Sequence, residues 1–159
     1  MTVVSTLSVD GTDWGIVEAL QEDARLTWAE LGRRVNLSPP AVAERVKRLE
    51  DQGVIKGYRA EVDLARLGLP MQAVIRIATA NSAECTNLGG RLREVPEVLE
   101  CYRVTGSDSY VIRVALRSME HLEELLERVA PTYGDTITAM VLSAPVTSKT
   151  VCRNLVIPD

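Results

Sequence analysis

Two helix-start signals in close succession constrain this chain more than any other feature. The first is Thr27-Trp28-Ala29-Glu30, a capping box in which a hydroxyl and a carboxylate three residues apart satisfy each other's backbone N–H groups. The second is Ser38-Pro39-Pro40. There the serine is placed to cap, and the prolines fall on first helical positions, where a missing N–H costs little. Leu31 and Val35 recur at helical spacing behind the first signal, and Val42, Val46 and Leu49 behind the second. Gly53 is placed to supply the left-handed residue that ends the second helix. Asn36-Leu37 leaves room only for a short connection, so the pattern predicts helix, short turn, helix.

Val42, Val46 and Leu49 form one apolar stripe, while Glu44, Arg45, Lys47 and Arg48 lie off it and make a mostly cationic free face. Taken alone, this is equally a solvated amphipathic surface helix. The helix before it turns the reading toward a helix-turn-helix, whose second helix enters the DNA major groove and reaches base edges with its N-terminal half. Ser38, Pro39, Pro40, Ala41, Glu44, Arg45, Lys47 and Arg48 are therefore the DNA-binding candidates. Upstream, Asp13 is placed to cap a first helix that ends around Glu22 to Arg25, with Ile16, Val17 and Leu20 inward and Trp14 near its start. Trp14 and Trp28 are expected to pack between helices, because aromatics at 4% are too few for a single-strand stacking groove. Residues before Asp10 suggest a frayed terminus. Residues 1–53 thus form a tri-helical unit.

Residues 54–69 suggest a wing or connecting strand and a linker, with Gly57 as a bend, Val54, Ile55, Tyr58 and Val62 packing, and Gly68 and Pro70 marking a boundary. Residues 70–150 change character. Met71 to Ala80 is an apolar strand; Leu88, Leu92 and Val95 follow at helical spacing up to Pro96; Val98 to Thr105 and Tyr110 to Leu116 flank the turn formers Gly106 to Ser109. Ser118 opens a helix with Met119, Leu122, Leu125, Leu126 and Val129 inward and Pro131 and Gly134 beyond its end, and Ile137 to Val146 is a last strand. The order β-α-β-β-α-β predicts a ferredoxin-like domain, and the fold class is α+β. Residues 151–159 are a tail. Val74, Val98, Tyr102, Val111 and Val141 would leave apolar surface on the uncovered sheet face, so a second copy is expected there, making a homodimer.

The net charge of -4 gives no overall basic signature, so DNA binding has to rest on local charge around Arg33, Arg34, Arg45, Lys47 and Arg48 and on two copies acting together. Cys85, Cys101 and Cys152 are odd in number and lack short paired spacings, which suggests reduced, buried or partly buried thiols and no zinc site. Met1 to Val9 lacks a basic start and enough apolar length for a signal peptide or anchor, and no segment has the apolar length to span a bilayer. A cytoplasmic protein without membrane contact is expected. His121, the sole histidine, sits among Leu122, Glu123 and Glu124 and is expected to be a half-exposed surface residue. No nucleophile elbow, phosphate-cradling glycine motif or Cys/His pair appears, so neither an enzyme nor a cofactor is expected.

With both halves in view, the chain resembles the Lrp/AsnC, or feast/famine, family of prokaryotic transcription regulators. The likeness rests on Asp13 with Ile16 and Leu20, Asp23-Ala24-Arg25, Glu30-Leu31, Leu37-Ser38 with Val42, Arg45-Val46-Lys47-Arg48-Leu49-Glu50, Gly53-Val54-Ile55 and Gly57-Tyr58. In the second half it rests on Val104-Thr105-Gly106 leading to Tyr110, and on Val141-Leu142-Ser143. The resemblance implies a winged helix-turn-helix joined to an effector domain, the RAM domain, with dimers that commonly assemble to octamers. It implies binding to double-stranded, near-palindromic operators, and a small-molecule effector, usually an amino acid, held between dimers near the loop after the second strand of that domain. That loop is Thr105, Gly106, Ser107, Asp108, Ser109 and Tyr110 here, with Thr136 and Thr138 the next candidates. Many relatives carry an acid directly before the aromatic, where this chain has Ser109 and carries its acid at Asp108. Some proteins resembling the family are sirohaem decarboxylases. A rival within the regulatory class is an effector-sensing oligomeric module that has lost DNA binding.

Overall fold

The computed structural model describes residues 9–79 and 82–156, with backbone alone at 82–87 and 130–133. Two compact units divide it: one runs to Glu61 and takes up the chain again from Val146, and the other is Val62–Pro145.

In the first unit α1 (Gly11–Glu22), α2 (Trp28–Val35) and α3 (Pro39–Asp51) enclose one core. Ile16, Leu20, Leu31, Val42, Val46 and Leu49 are buried together, with Val35, Leu37, Val54 and Ile55 packed around them. The stripe expected on α3 is therefore the face that packs. The start of α1 differs from expectation. Its N-cap is Asp10, and Asp13 is the N3 member of a capping box, buried at 1% exposure. The Thr27–Glu30 box forms as expected, with Thr27 N–H donating to Glu30 Oε2 at 2.9 Å and Glu30 N–H to Thr27 Oγ1 at 3.2 Å. Ser38 has the extended backbone of an N-cap but makes no side-chain cap bond; Pro40 removes the N2 N–H and leaves Ala41 N–H as the one donor such a cap would meet.

The turn between α2 and α3 is tight because Gly32 allows it. A Cβ on Gly32 would lie 2.5 Å from the Leu37 carbonyl oxygen, which accommodates the close return of the chain after Asn36 turns it at φ 54. At the end of α3, Gly53 adopts φ 70, Gly53 N–H donates to Glu50 O and Val54 N–H to Leu49 O, both at 2.9 Å. This pair of bonds, with Val54 packed back on the core, is the left-handed stop that Gly53 supplies. Among the described residues no strand precedes Met71, so the stretch from Val54 is an irregular connection and not a connecting strand. Trp28 is 45% exposed and does not pack as expected.

The C-terminal segment belongs to this same unit. Gln21 bonds the Val151 backbone in both directions, at 2.9 and 3.1 Å, and Arg153 N–H donates to Glu18 Oε1 at 3.0 Å, ahead of a short 3₁₀ turn at Arg153–Leu155.

The second unit is a four-stranded antiparallel sheet of β1 (Met71–Ala78), β2 (Val98–Arg103), β3 (Tyr110–Leu116) and β4 (Asp135–Met140) in the order β2-β3-β1-β4, with α4 (Ser82–Arg93) and α5 (Met119–Tyr133) as crossovers. This is the predicted ferredoxin-like topology. Ala73, Ile75, Ile77, Ile112, Val114 and Leu116 alternate onto the helical side and join Leu88, Leu92, Leu122, Leu125 and Val129 in one core. Val98 packs against that core and so leaves the uncovered face on which it was expected. Several boundaries move, and the second strand ends at Arg103 and not at Thr105. The first strand ends at Ala78, with Ala80 outside the described residues; the helix α5 runs through Pro131 and stops at Gly134; the last strand begins at Asp135 and ends at Met140. Gly134 takes φ 108 and its absent side chain admits the Ala78 carbonyl, where a Cβ would lie 2.4 Å away.

Candidate nucleic-acid interface and ligand-binding loop

Ser38, Pro39, Pro40, Glu44, Lys47 and Arg48 are exposed on α3, while Ala41 and Arg45 are half-buried. Ala41, Glu44, Arg45, Lys47 and Arg48 line a shallow groove of about 640 Å³ along that face, with Asp51 and Gln52 at its end. Its cations are not free, as the sequence suggested they would be. Arg45 Nη1 donates to Asp10 Oδ2 at 2.7 Å and to Asp13 Oδ1 at 2.8 Å. Arg48 Nη2 donates to both oxygens of Asp13, at 2.8 and 2.7 Å. Lys47 reaches Asp51 one turn on at 3.1 Å, and Arg34 reaches Glu22 at 3.1 Å.

The geometry has a simple origin. Arg45 and Arg48 are three apart on α3 and so share a face, and Asp10 and Asp13 are three apart at the first turn of α1, tied into one capping box. Burial of Asp13 demands compensation of its charge, and the two guanidinium groups provide it. The Arg45 bond holds the Asp10 carboxyl below its ordinary range, aided by the Asp13 backbone N–H, while Asp10 and Asp13 push the Arg45 guanidinium up. The sequence carried a signal for this arrangement in the matched i, i+3 spacing of two acids and two arginines, but assigning Asp13 to the cap position hid it.

The loop after β2 is tied to the end of β1. Ser109 N–H donates to Ile77 O at 2.8 Å, Thr79 N–H donates to Ser109 Oγ at 3.2 Å, and the hydroxyls of Thr79 and Ser109 are 2.8 Å apart. Asp108 faces Arg76 Nε at 3.6 Å. Thr105, Gly106 and Ser107 are exposed, with Gly106 at φ 117. Tyr110 is buried in the core beneath α4, where a Cβ on Gly89 would touch its ring at 3.6 Å. Thr136 lies opposite Ile77 and Thr138 opposite Ile75, both half-buried on β4. The loop and Thr136 thus share one end of the sheet, and Thr138 sits deeper along it.

At the other end of the sheet, His121 is 11% exposed and not half-exposed. Its Nδ1 accepts from Arg117 N–H at 3.2 Å and its Nε2 lies 3.0 Å from Glu97 Oε1, which also accepts from Arg128. On the uncovered face Arg113 links Gln72 to Glu100, and Tyr102 O–H donates to Glu100 at 2.9 Å. Val74 and Val111 lie between them half-buried, and Tyr102 and Ile137 are exposed. Cys101 and Cys152 are exposed free thiols, contrary to expectation, and the side chain of Cys85 lies outside the described residues. Among the described residues no group of three or more His, Cys, Asp or Glu is arranged to hold a metal, and no helix is long and apolar enough to cross a membrane.

A three-helix unit whose third helix offers its proline-led start to solvent, carried in one chain with a ferredoxin-like sheet, defines a helix-turn-helix protein with an appended α+β domain. Comparison with known proteins narrows that class. A model of the winged helix-turn-helix DNA-binding unit matches residues 9–56, and a model of the Lrp/AsnC ligand binding domain matches residues 72–151. The HTH-type transcriptional regulator LrpC of Bacillus subtilis is 36% identical over 137 residues, covering 86% of this chain and 94% of that protein. The LrpC structure aligns with a TM-score of 0.82 at 35% identity, over 89% of this chain and 99% of that one. The Neisseria meningitidis transcriptional regulator NMB0573 in complex with L-Met gives a TM-score of 0.87 at 28% identity, over 94% of this chain and all (100%) of that one. The feast or famine regulatory protein Rv3291c of M. tuberculosis complexed with L-methionine gives 0.83 at 34% identity, over 88% and 96%. The chain belongs to the Lrp/AsnC family of transcriptional regulators.

Proposed function

We propose that this protein binds near-palindromic duplex DNA through α3 of two copies, and that an amino acid bound at the 105–110 loop, between dimers, modulates that binding or the assembly. The observation that carries the first part is the exposed N-terminal half of α3 on a helix-turn-helix core. Ser38, Pro39, Pro40, Ala41 and Glu44 then face base edges, and Arg45, Lys47 and Arg48 face phosphate or base edges. Two copies are needed because the groove's cations are largely offset by Asp10, Asp13 and Asp51, so one copy has little net charge with which to release counterions. Dimerisation through the uncovered sheet face, where Val74, Val111, Tyr102 and Ile137 lie, would present the two helices, and assembly beyond the dimer, to an octamer, follows the family pattern.

The effector part rests on the match to the ligand-binding domain and on the L-methionine complexes of two relatives. Exposed turn N–H groups at Gly106 and Ser107 suit a carboxylate, and Asp108 suits an ammonium once released from Arg76. Thr136 and Thr138 complete the candidate set. The protein acts as a cytoplasmic regulator and not as an enzyme.

Gel shift with duplex from upstream of its own gene, at low and then moderate salt, tests the DNA reading. A retarded band that weakens as salt rises is expected. The offset of Arg45 and Arg48 by acids favours, as a second reading, a sensor without DNA binding. A folded dimer giving no band at any salt would establish that second reading. A thermal-shift screen of the amino acids, L-methionine included, tests the effector.

A further inference from the structure

We propose that Asp13, assisted by Asp10, is a positioning residue for DNA recognition: it fixes the planes of the Arg45 and Arg48 guanidinium groups before DNA arrives. The inference rests on α3 being the DNA-contacting helix. It departs from what charge alone predicts, since a carboxylate beside a phosphate-binding face ordinarily weakens binding.

The geometry around Asp13 favours positioning. Asp13 is 1% exposed and belongs to the first turn of α1, so its carboxylate is as rigid as the helix that carries it. It takes one nitrogen from each arginine: Nη1 of Arg45 and Nη2 of Arg48. Asp10 takes Arg45 from a second direction. Among the described residues, Nε and Nη2 of Arg45, and Nε and Nη1 of Arg48, have no partner, and the two side chains remain 28% and 46% exposed on the groove. Because the guanidinium is planar and its donors diverge in a fixed fork, holding one nitrogen aims the others. The rotamer freedom that a long side chain would lose on binding has already been lost on folding. Two acids and two arginines also sum to no net charge, so the device sharpens recognition without adding attraction for arbitrary DNA.

Opposite signs make this testable. The full-length protein is used to enrich preferred duplexes from a random pool, and affinity for an enriched duplex and for its shuffled version is measured across a salt series. For Asp13→Asn, affinity for the enriched duplex should fall about tenfold. Affinity for the shuffled duplex should hold or rise, with a salt slope steeper by about one, because one cation is uncovered. Asp10→Asn keeps an excellent N-cap and loses only the second hold on Arg45, so it should lower the same ratio by a smaller factor in a protein that still folds, with its melting temperature only slightly lowered by the lost charge pair. Tightening on both duplexes alike would reduce Asp13 to a repulsive charge and overturn the proposal. Equal weakening on both by Asp13→Asn, with Asp10→Asn leaving the ratio unchanged, would leave Asp13 a purely structural role and overturn it too. If the wild-type protein enriches no sequence, the DNA-binding reading itself falls, and the positioning role with it.

Discussion

Nη2 of Arg48 bridges both carboxylate oxygens of Asp13, at 2.7 and 2.8 Å, joining the helix α3 to the first turn of α1 through a nearly sealed acid. The pair is asymmetric: Asp13 is buried, whereas the Arg48 side chain is 46% exposed. Removing the acid leaves cations that water can reach, while removing the cations leaves a buried anion without compensation. We therefore expect the double variant Arg45→Ala/Arg48→Ala to lose about 3 kcal/mol of stability. Asp13→Asn should lose only about 1 kcal/mol, both read by urea denaturation. Equal losses would contradict the burial asymmetry. The single variants Arg45→Ala and Arg48→Ala each leave Asp13 one partner and should weaken DNA binding while the dimer persists in sedimentation.

Gly32 lets the α2–α3 turn close. A methyl group there would meet the Leu37 carbonyl at 2.5 Å, and that oxygen belongs to backbone that cannot rotate away. Gly32→Ala should cost about 2 kcal/mol or more, within the range for overpacking a tight site. Hydrogen exchange should show faster opening in α2 and α3 with the sheet unit unaffected. Uniform loosening of both units would show that the strain is not local.

Asp108 is bound to Arg76 only at 3.6 Å and on the surface. Pairs of that kind contribute about 0–1 kcal/mol. Asp108→Ala should leave the melting temperature within a degree or two while abolishing the shift that amino acids produce. Retention of a full ligand shift would remove Asp108 from the candidate site. Ser109→Ala, by contrast, loses the bonds to Thr79 and should cost about 1 kcal/mol in stability.

Acid should destabilise both units. Asp10 is held below its ordinary range chiefly by Arg45, and Glu100 by Arg113 and Tyr102. For Glu97, burial pushes upward, but its own backbone N–H, His121 and Arg128 outweigh it and the net direction is down. A carboxyl depressed in the folded state binds fewer protons there than in the unfolded chain, so the stability it contributes is complete above the ordinary range near pH 4–4.5 and is lost as pH falls through the folded value. The melting temperature should decline from about pH 4.5 downward, and Glu97→Gln should flatten that decline. An unchanged acid slope in Glu97→Gln would exclude this carboxylate as a source.

Much of the architecture was legible from periodicity and end signals, because these are local. The Thr27–Glu30 box, the proline start at Pro39, the stop at Gly53 and the alternation of Ala73, Ile75 and Ile77 need only neighbouring residues to act. Pro131 misled because a proline near the C-terminal end of a helix removes one hydrogen bond without ending it, and Gly134, at φ 108, is what stops α5. His121 misled because its cover comes from Glu97, far away in sequence, and not from the acids beside it.

By itself, the sequence determined where α2, α3 and the first three strands start, which faces of α2 and α3 are buried, and that a helix-turn-helix is followed by a ferredoxin-like sheet. Only the tertiary structure decided the state of the cationic face on α3. Periodicity reports burial against the nearest apolar neighbours, whereas the charge partner of Arg45 and Arg48 is an acid more than thirty positions away, at separations of 32 and 35 residues. That acid is brought into reach when Ile16 and Val46 enter one core. Ion pairing over such distances depends on how two helices pack, and no local pattern encodes it.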